Sequence, residues 1–269
     1  MRVLYLLSNL LAYLAFSGIG YRKQIVMSNL GIAFPEKSHQ ERVAIAKEFY
    51  LNFCDAMVES IKLISADNRL IDKLFIADPD VVKAFEGIEK NIQIHAMHNF
   101  SWEIVNLGVA REMKLPFLGV YQPITNPFFN ELFKKIRARN GTVLIPANDF
   151  KSNFLPHGDK RYAIALVADQ NPGNPAKAWW ANFFGKPAPF VMGPENAARQ
   201  RDTAVLFANF YKVKSLLIVL LIYHLANSRF AILNTLKIKP GSDQPTIFGV
   251  TEDGSILTNQ NIQVRYLVN

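Results

Sequence analysis

From residue 91 to residue 211, short apolar runs alternate with longer stretches of helical periodicity, and this alternation constrains the fold most. Residues 91–97, 117–122, 142–146, 161–168 and 203–211 read as strands. Residues 101–113 and 128–139 read as helices between them, and a short helix opens at Gly193-Pro194 and runs to about Arg201. Such alternation predicts an α/β fold: a central, mostly parallel or mixed sheet flanked by helices. A length of 269 residues suits one such domain of ordinary size.

Upstream, Ser38 and Glu41 form a capping-box pair. Val43, Ala46, Phe49, Tyr50, Phe53, Ala56, Met57 and Ile61 then recur at helical spacing, which predicts a long helix over about 38–64. The first 21 residues form a separate segment. No charge occurs from Val3 to Tyr21, with Arg2 before the run and Arg22-Lys23 after it. That length approaches the roughly 20 apolar residues a spanning helix needs, although Ser8, Asn9, Ser17, Gly18 and Gly20 weaken a spanning reading. No small-x-small site follows a clear apolar core, so a cleaved signal peptide is not expected. The expectation is a helix embedded in or lying on a membrane, its basic pair among anionic head groups; a buried core helix is the alternative.

A net charge of +8 suits nucleic acid, anionic lipid or an acidic protein partner without choosing among them. No nucleic-acid motif accompanies it, and the basic residues are scattered except for "KKIRAR" at 134–139. Cys54 is the single cysteine, which excludes a disulfide framework and a thiolate metal cluster and fits a reducing compartment. No metal constellation or glycine-rich phosphate loop is present, so no cofactor is expected.

The chemistry-bearing stretch is "IQIHAMHNFSWEIVNLG", residues 92–108. His98 follows a strand and Glu103 stands in the first turn of the next helix. On one continuous helix, residues five apart point about 140° away from each other and do not pair. At a strand–turn–helix junction the chain can fold back, so that a carboxylate holds one imidazole nitrogen and leaves the other as a base. That arrangement deprotonates an alcohol. A satisfied structural histidine is the competing reading, and it is the one adopted for His95 on the strand.

After this motif come "VYQPITNPFFNELFKKIRARNGTVLIP", "ALVADQNPG" and "FFGKPAPFVMGPENAAR". The ordered set resembles the late (secondary) acyltransferases of lipid A biosynthesis, within the wider lysophospholipid and glycerol-phosphate acyltransferase group. The marks are His-x4-Glu, Tyr-x-Pro-x-x-Asn-Pro, Arg-x-Arg before a glycine, Asp-Gln after an apolar strand, and Phe-Phe-Gly. "GYRKQIVMSNLGIAFPEKS" and "FYLNFCDAMVESIKL" near the start are similar too, so the resemblance covers about residues 1–214.

The resemblance implies a glycerol-phosphate-acyltransferase-like fold with an N-terminal membrane-associated helix over 1–21, an acyltransferase domain over 22–214 and a divergent segment over 215–269. It implies His98 as general base and Glu103 as its charge-relay partner. Arg139, with Arg137, matches a basic position that stabilises an oxyanion or holds a phosphate, and Asp169 matches a residue shaping the site. The implied donor is acyl carrier protein, and the implied acceptor is a hydroxyl of a lipid A precursor, at the cytoplasmic face of the bacterial inner membrane. An acidic carrier and a phosphorylated acceptor both suit a basic enzyme. A lysophospholipid, amino lipid or other glycolipid is an alternative acceptor, and a non-catalytic relative is an alternative of another class. Trp179, Trp180, Phe183 and Phe184 lie in a Pro/Gly-rich stretch read as a loop that dips into the interface, lines an acyl tunnel, or simply packs.

The resemblance stops near Lys214. The next segment, "SLLIVLLIYHLA", has the composition of a buried strand or core helix, but the family's C-terminal aromatic–basic element has no counterpart after it. The expectation is a foreign tail that leaves the sheet incomplete, with low or no turnover.

Overall fold

The computed structural model describes residues 2–225, apart from 78, 99–100 and 215–216, together with 249–250 and 256–257. The helices are α1 (Arg2–Tyr13), α2 (Lys23–Ala33), α3 (His39–Leu63), α4 (Asn68–Leu74), α5 (Pro79–Glu86), α6 (Trp102–Glu112), α7 (Pro127–Ala138), α8 (Phe150–Phe154) and α9 (Gly193–Arg201). The strands are β1 (Phe75–Ala77), β2 (Ile92–Ala96), β3 (Phe117–Tyr121), β4 (Val143–Pro146), β5 (Ala163–Val167), β6 (Trp179–Phe183), β7 (Lys186–Phe190), β8 (Ala204–Lys214), β9 (Leu217–Leu225), β10 (Gly249–Val250) and β11 (Ile256–Leu257).

Seven strands form the main sheet in the order β1-β9-β8-β2-β5-β3-β4. The five contiguous strands β8, β2, β5, β3 and β4 are mutually parallel, and helices flank them, as the alternation of patterns predicts. Alternate residues of a strand face opposite sides, and the core divides accordingly. Phe117 and Ala163 join Ile92, Ile94, Leu107 and Leu206 in one buried cluster. Their neighbours Leu118 and Ile164 join Ile145, Phe154 and Tyr162 in another. Gly108 of α6 marks the closest packing: an added Cβ there lies 2.2 Å from the Phe75 ring, so a side chain would drive α6 off β1.

Residues Leu217–Leu225 are part of this sheet. As β9 they run antiparallel to β8 and parallel to β1. The expectation that the sheet is left incomplete after Lys214 is therefore corrected: this run is a strand between two others, as its apolar composition allows. The rest of the expected tail, beyond the short β10–β11 pair, lies outside the described residues.

The N-terminal segment is bent. After α1 a single π-helical turn, Leu14–Gly18, leads to Gly20 and Arg22, both at positive φ, and α2 departs at 86°. Among the described residues no single helix is long and apolar enough to cross a membrane, although the bent pair passes by length and composition. α1 packs against α3 through its polar side. Tyr5 donates to Glu59 Oε1 at 2.9 Å and Ser8 to Asp55 Oδ1 at 2.7 Å. The two carboxylates are four positions apart and the two hydroxyls three, so each pair stands on one face of its helix. With the polar side turned inward, Val3, Leu6, Leu7, Leu10 and Leu14 are exposed. α3 starts at Ser38 with both bonds of the capping box present.

The Pro/Gly-rich stretch after β5 contains an antiparallel hairpin, β6–β7, where a loop is expected from its composition. Pro187 and Pro189 argue against a strand, but a two-stranded hairpin tolerates residues without an N–H where no partner is required. Phe184 and Gly185 turn the chain with φ of 52° and 75°, the sign that a two-residue hairpin turn demands at both positions. Trp179 and Trp180 are exposed on it.

Candidate active site

The site is fixed by sheet register. β2 and β5 pair in parallel from Ile92↔Ala163 to Ala96↔Val167. Two residues further along each strand stand His98 and Asp169, at the carboxyl edge where open α/β sheets place their ligands. The register carries past the strand ends: Asp169 Oδ1 lies 2.7 Å from His98 Nδ1, and the His98 backbone N–H donates to Asp169 Oδ2 at 2.9 Å. One carboxylate thus holds both the ring and the main chain of the same residue. The side chains are 28% and 25% exposed, enough for a substrate to reach them. His98 Nε2 has no hydrogen-bond partner among the described residues.

Glu103 faces elsewhere. It sits in the first turn of α6, 2% exposed, with α7 alongside. Arg137 donates to it through Nη2 at 2.6 Å and Nε at 3.0 Å. Trp102 Nε1 donates to the same carboxylate at 3.2 Å. The expected His98–Glu103 pairing is therefore not the one the fold makes. Asp169, on the neighbouring strand, occupies the position beside Nδ1, while the α6 backbone carries Glu103 under the helix toward Arg137. Both charges of that pair are largely out of water, so they depend on each other.

Arg139 is separate again. Its Nη1 donates to the Ala66 carbonyl at 2.7 Å and its Nη2 to the Leu63 carbonyl at 2.5 Å. It thus caps the carbonyl end of α3, where a cation suits the helix dipole. The "KKIRAR" run is accordingly not one basic patch. Lys134 pairs with Glu131 at 3.0 Å, Arg137 turns to Glu103 and Arg139 to α3. Of the five residues singled out from the sequence, the fold joins His98 to Asp169 and Glu103 to Arg137, and places Arg139 away from both.

His95 is structural, as read from the sequence. It is buried on β2 in edge-to-face contact with Phe207, and burial pushes its imidazole down to about 4. In the amide orientation that satisfies both ends, Gln93 donates to His95 Nε2 at 2.9 Å and to the Pro194 carbonyl, and accepts from Ala198 N–H and Thr203 Oγ1. This network ties β2 to α9.

Two further residues of the site escape the sequence reading. Trp102 lies edge-to-face on His98, ring centroids 5.5 Å apart and planes at 77°. The spacing i, i+4 was there to see, but the two residues straddle a strand–helix junction, where helical spacing does not apply. Ser101, the residue before α6, is buried, and its hydroxyl makes no hydrogen bond among the described residues.

The arrangement can do acid–base chemistry. A partly exposed imidazole is fixed by a carboxylate at Nδ1 and keeps Nε2 unbound among the described residues, the geometry of a base that accepts a proton from a hydroxyl. The comparison with known proteins agrees in kind. The model of one family, described as bacterial lipid A biosynthesis acyltransferase, matches residues 1–215. No curated protein matches the chain. The family match takes in α1, the five parallel strands and every site residue named above, and on it the chain belongs to the bacterial lipid A biosynthesis acyltransferases, a family of transferases of acyl groups.

Proposed function

We propose that the chain transfers a fatty acyl group from acyl carrier protein to a hydroxyl of a lipid A precursor, with His98 as general base oriented by Asp169. The observation that carries this reading is the 2.7 Å bond between His98 Nδ1 and Asp169 Oδ1, with Nε2 unpartnered among the described residues, inside a chain of this family. His98 Nε2 takes the proton from the acceptor hydroxyl as its oxygen attacks the thioester carbonyl. The new C–O ester bond forms, the C–S bond breaks, and the proton passes from Nε2 to the leaving thiolate. Asp169 stabilises the imidazolium while it exists.

Glu103 and Arg137 enter this scheme as a buried brace beneath the site, and Arg139 as a cap on α3. The net charge of +8 suits an acidic carrier protein and a phosphorylated acceptor. The exposed apolar side of α1, with Arg2 at its start and Arg22 and Lys23 after the bend, suits the interface of the bacterial inner membrane on its cytoplasmic face. The expectation of low turnover rested on a sheet left incomplete after Lys214. β9 supplies that strand, so we read the chain as active.

Mass spectrometry of total lipids from cells with and without the gene tests the proposal. Gain of one acyl chain on a lipid A species, dependent on His98, is the expected result. A shift on a lysophospholipid or amino lipid instead would reassign the acceptor, and no shift on any lipid would remove the catalytic reading.

A further inference from the structure

The fold places one side chain in contact with both a histidine–carboxylate pair and an arginine–carboxylate pair. His98–Asp169 is partly exposed; Glu103–Arg137 is largely buried. Trp102 touches both: its ring lies edge-to-face on the His98 imidazole, and its Nε1–H donates to Glu103 at 3.2 Å. The rest of the indole packs on the main core cluster.

We propose that Trp102 is a positioning residue for His98, and that Glu103 acts on the imidazole through it. This rests on the reading of His98 as a base. Asp169 fixes the ring at one atom, Nδ1, and a ring held at one atom can still rock about that bond. The indole removes this freedom by standing against the ring at 77°, an orientation that aromatic pairs prefer. For the indole to act as a wall it must itself be held. One side of it is packed on the core, and its N–H is bound to a carboxylate that Arg137 holds through two nitrogens. The chain Arg137–Glu103–Trp102–His98 therefore runs from buried charge to imidazole with a defined contact at each step. It gives Glu103 a part in the site without any contact with the ring. Small errors in the placement of a base are costly: about 1 Å of displacement can lower a rate 100-fold.

The test uses the full chain in detergent with the histidine Cε1 positions labelled with ¹³C. Five histidines give a simple spectrum, and His98 is assigned by the signal lost in His98→Gln. Trp102→Phe keeps a ring against His98 and removes the donor to Glu103. It is expected to move the His98 signal, to lower kcat by about 10-fold with KM within about twofold, and to shift the pH–rate profile, while the melting temperature stays close to that of the parent. Trp102→Tyr serves if the phenylalanine variant does not fold. Glu103→Gln is expected to move the His98 signal in the parent chain and to add nothing in the Trp102→Phe background. An unmoved His98 signal in the Trp102 variant overturns the proposal. So does an equal Glu103→Gln shift in both backgrounds, which would mean a route that bypasses the indole. The signals report on the coupling whether or not the chain turns over, so a parent enzyme without transfer activity counts against the acyl-transfer reading alone.

Discussion

Asp169 binds His98 twice, through Oδ1 to the ring at 2.7 Å and through Oδ2 to the backbone N–H at 2.9 Å. The second bond ties the turn after β2 to the end of β5, so the carboxylate sets both where the imidazole stands and which nitrogen it offers.

His98→Ala is expected to lower transfer by about 10² to 10⁴ while leaving the protein folded, because only the base is lost. Asp169→Asn is expected to fall in the same range, since an amide that presents its NH₂ group to Nδ1 stabilises the wrong tautomer. Steady-state kinetics on both variants, with circular dichroism as the fold control, checks this. Parent-like kcat in Asp169→Asn would remove Asp169 from the mechanism.

Glu103→Ala should be primarily a stability variant. It leaves the Arg137 guanidinium largely buried without its carboxylate, a change that costs about 3–5 kcal/mol in comparable sites. Glu103→Gln keeps an acceptor for Arg137 and Trp102 and should cost less. Denaturant melts of the two variants give the order directly; a Glu103→Ala protein as stable as the parent would contradict the buried pair.

The outward side of α1 should decide membrane retention. Leu6 and Leu10 are 67% and 54% exposed, whereas Ser8 is fully buried against α3. The parent chain is expected to float with vesicles and to stay bound in high salt, because apolar burial is not screened. Leu6→Glu with Leu10→Glu should release it without unfolding. Recovery of the parent chain in the low-salt supernatant would count against an interfacial helix.

His95 should make stability fall in acid. Burial depresses its folded value to about 4, below the 6.5 of an exposed imidazole. The unfolded chain therefore binds the proton first as pH falls, and stability drops between pH 6.5 and 4, by up to about 3 kcal/mol from this group. Above pH 6.5 the group contributes no pH dependence. His95→Gln should flatten the profile in that window, as read from urea melts at successive pH values. An unchanged slope would assign the acid loss to other groups.

Much of the architecture was legible in the sequence because it is set locally. The apolar alternation of 91–97, 117–122 and 161–168 marks strands whichever partner they find, and observed bounds differ from the expected ones by at most two residues. Ser38 and Glu41 act over three residues, so the start of α3 could be read directly. The β6–β7 hairpin was missed because Pro187 and Pro189 contradict a strand locally, and only pairing overrides that.

His98 itself, as a reactive residue after a strand, is a property of the sequence; its partner is not. A carboxylate five residues away was the nearest choice along the chain, but distance along the chain is not distance in a sheet. The residue that reaches the imidazole is 71 positions on, and it arrives because β2 and β5 are neighbours paired at that same offset. Strand order is decided by packing of the whole sheet, as are the turn of Glu103 to Arg137 and of Arg139 to the end of α3. The sequence by itself determined which groups are available for acid–base chemistry, and the tertiary structure decided which of them meet, because ion pairs form between side chains that the sheet and its helices bring within about 3 Å.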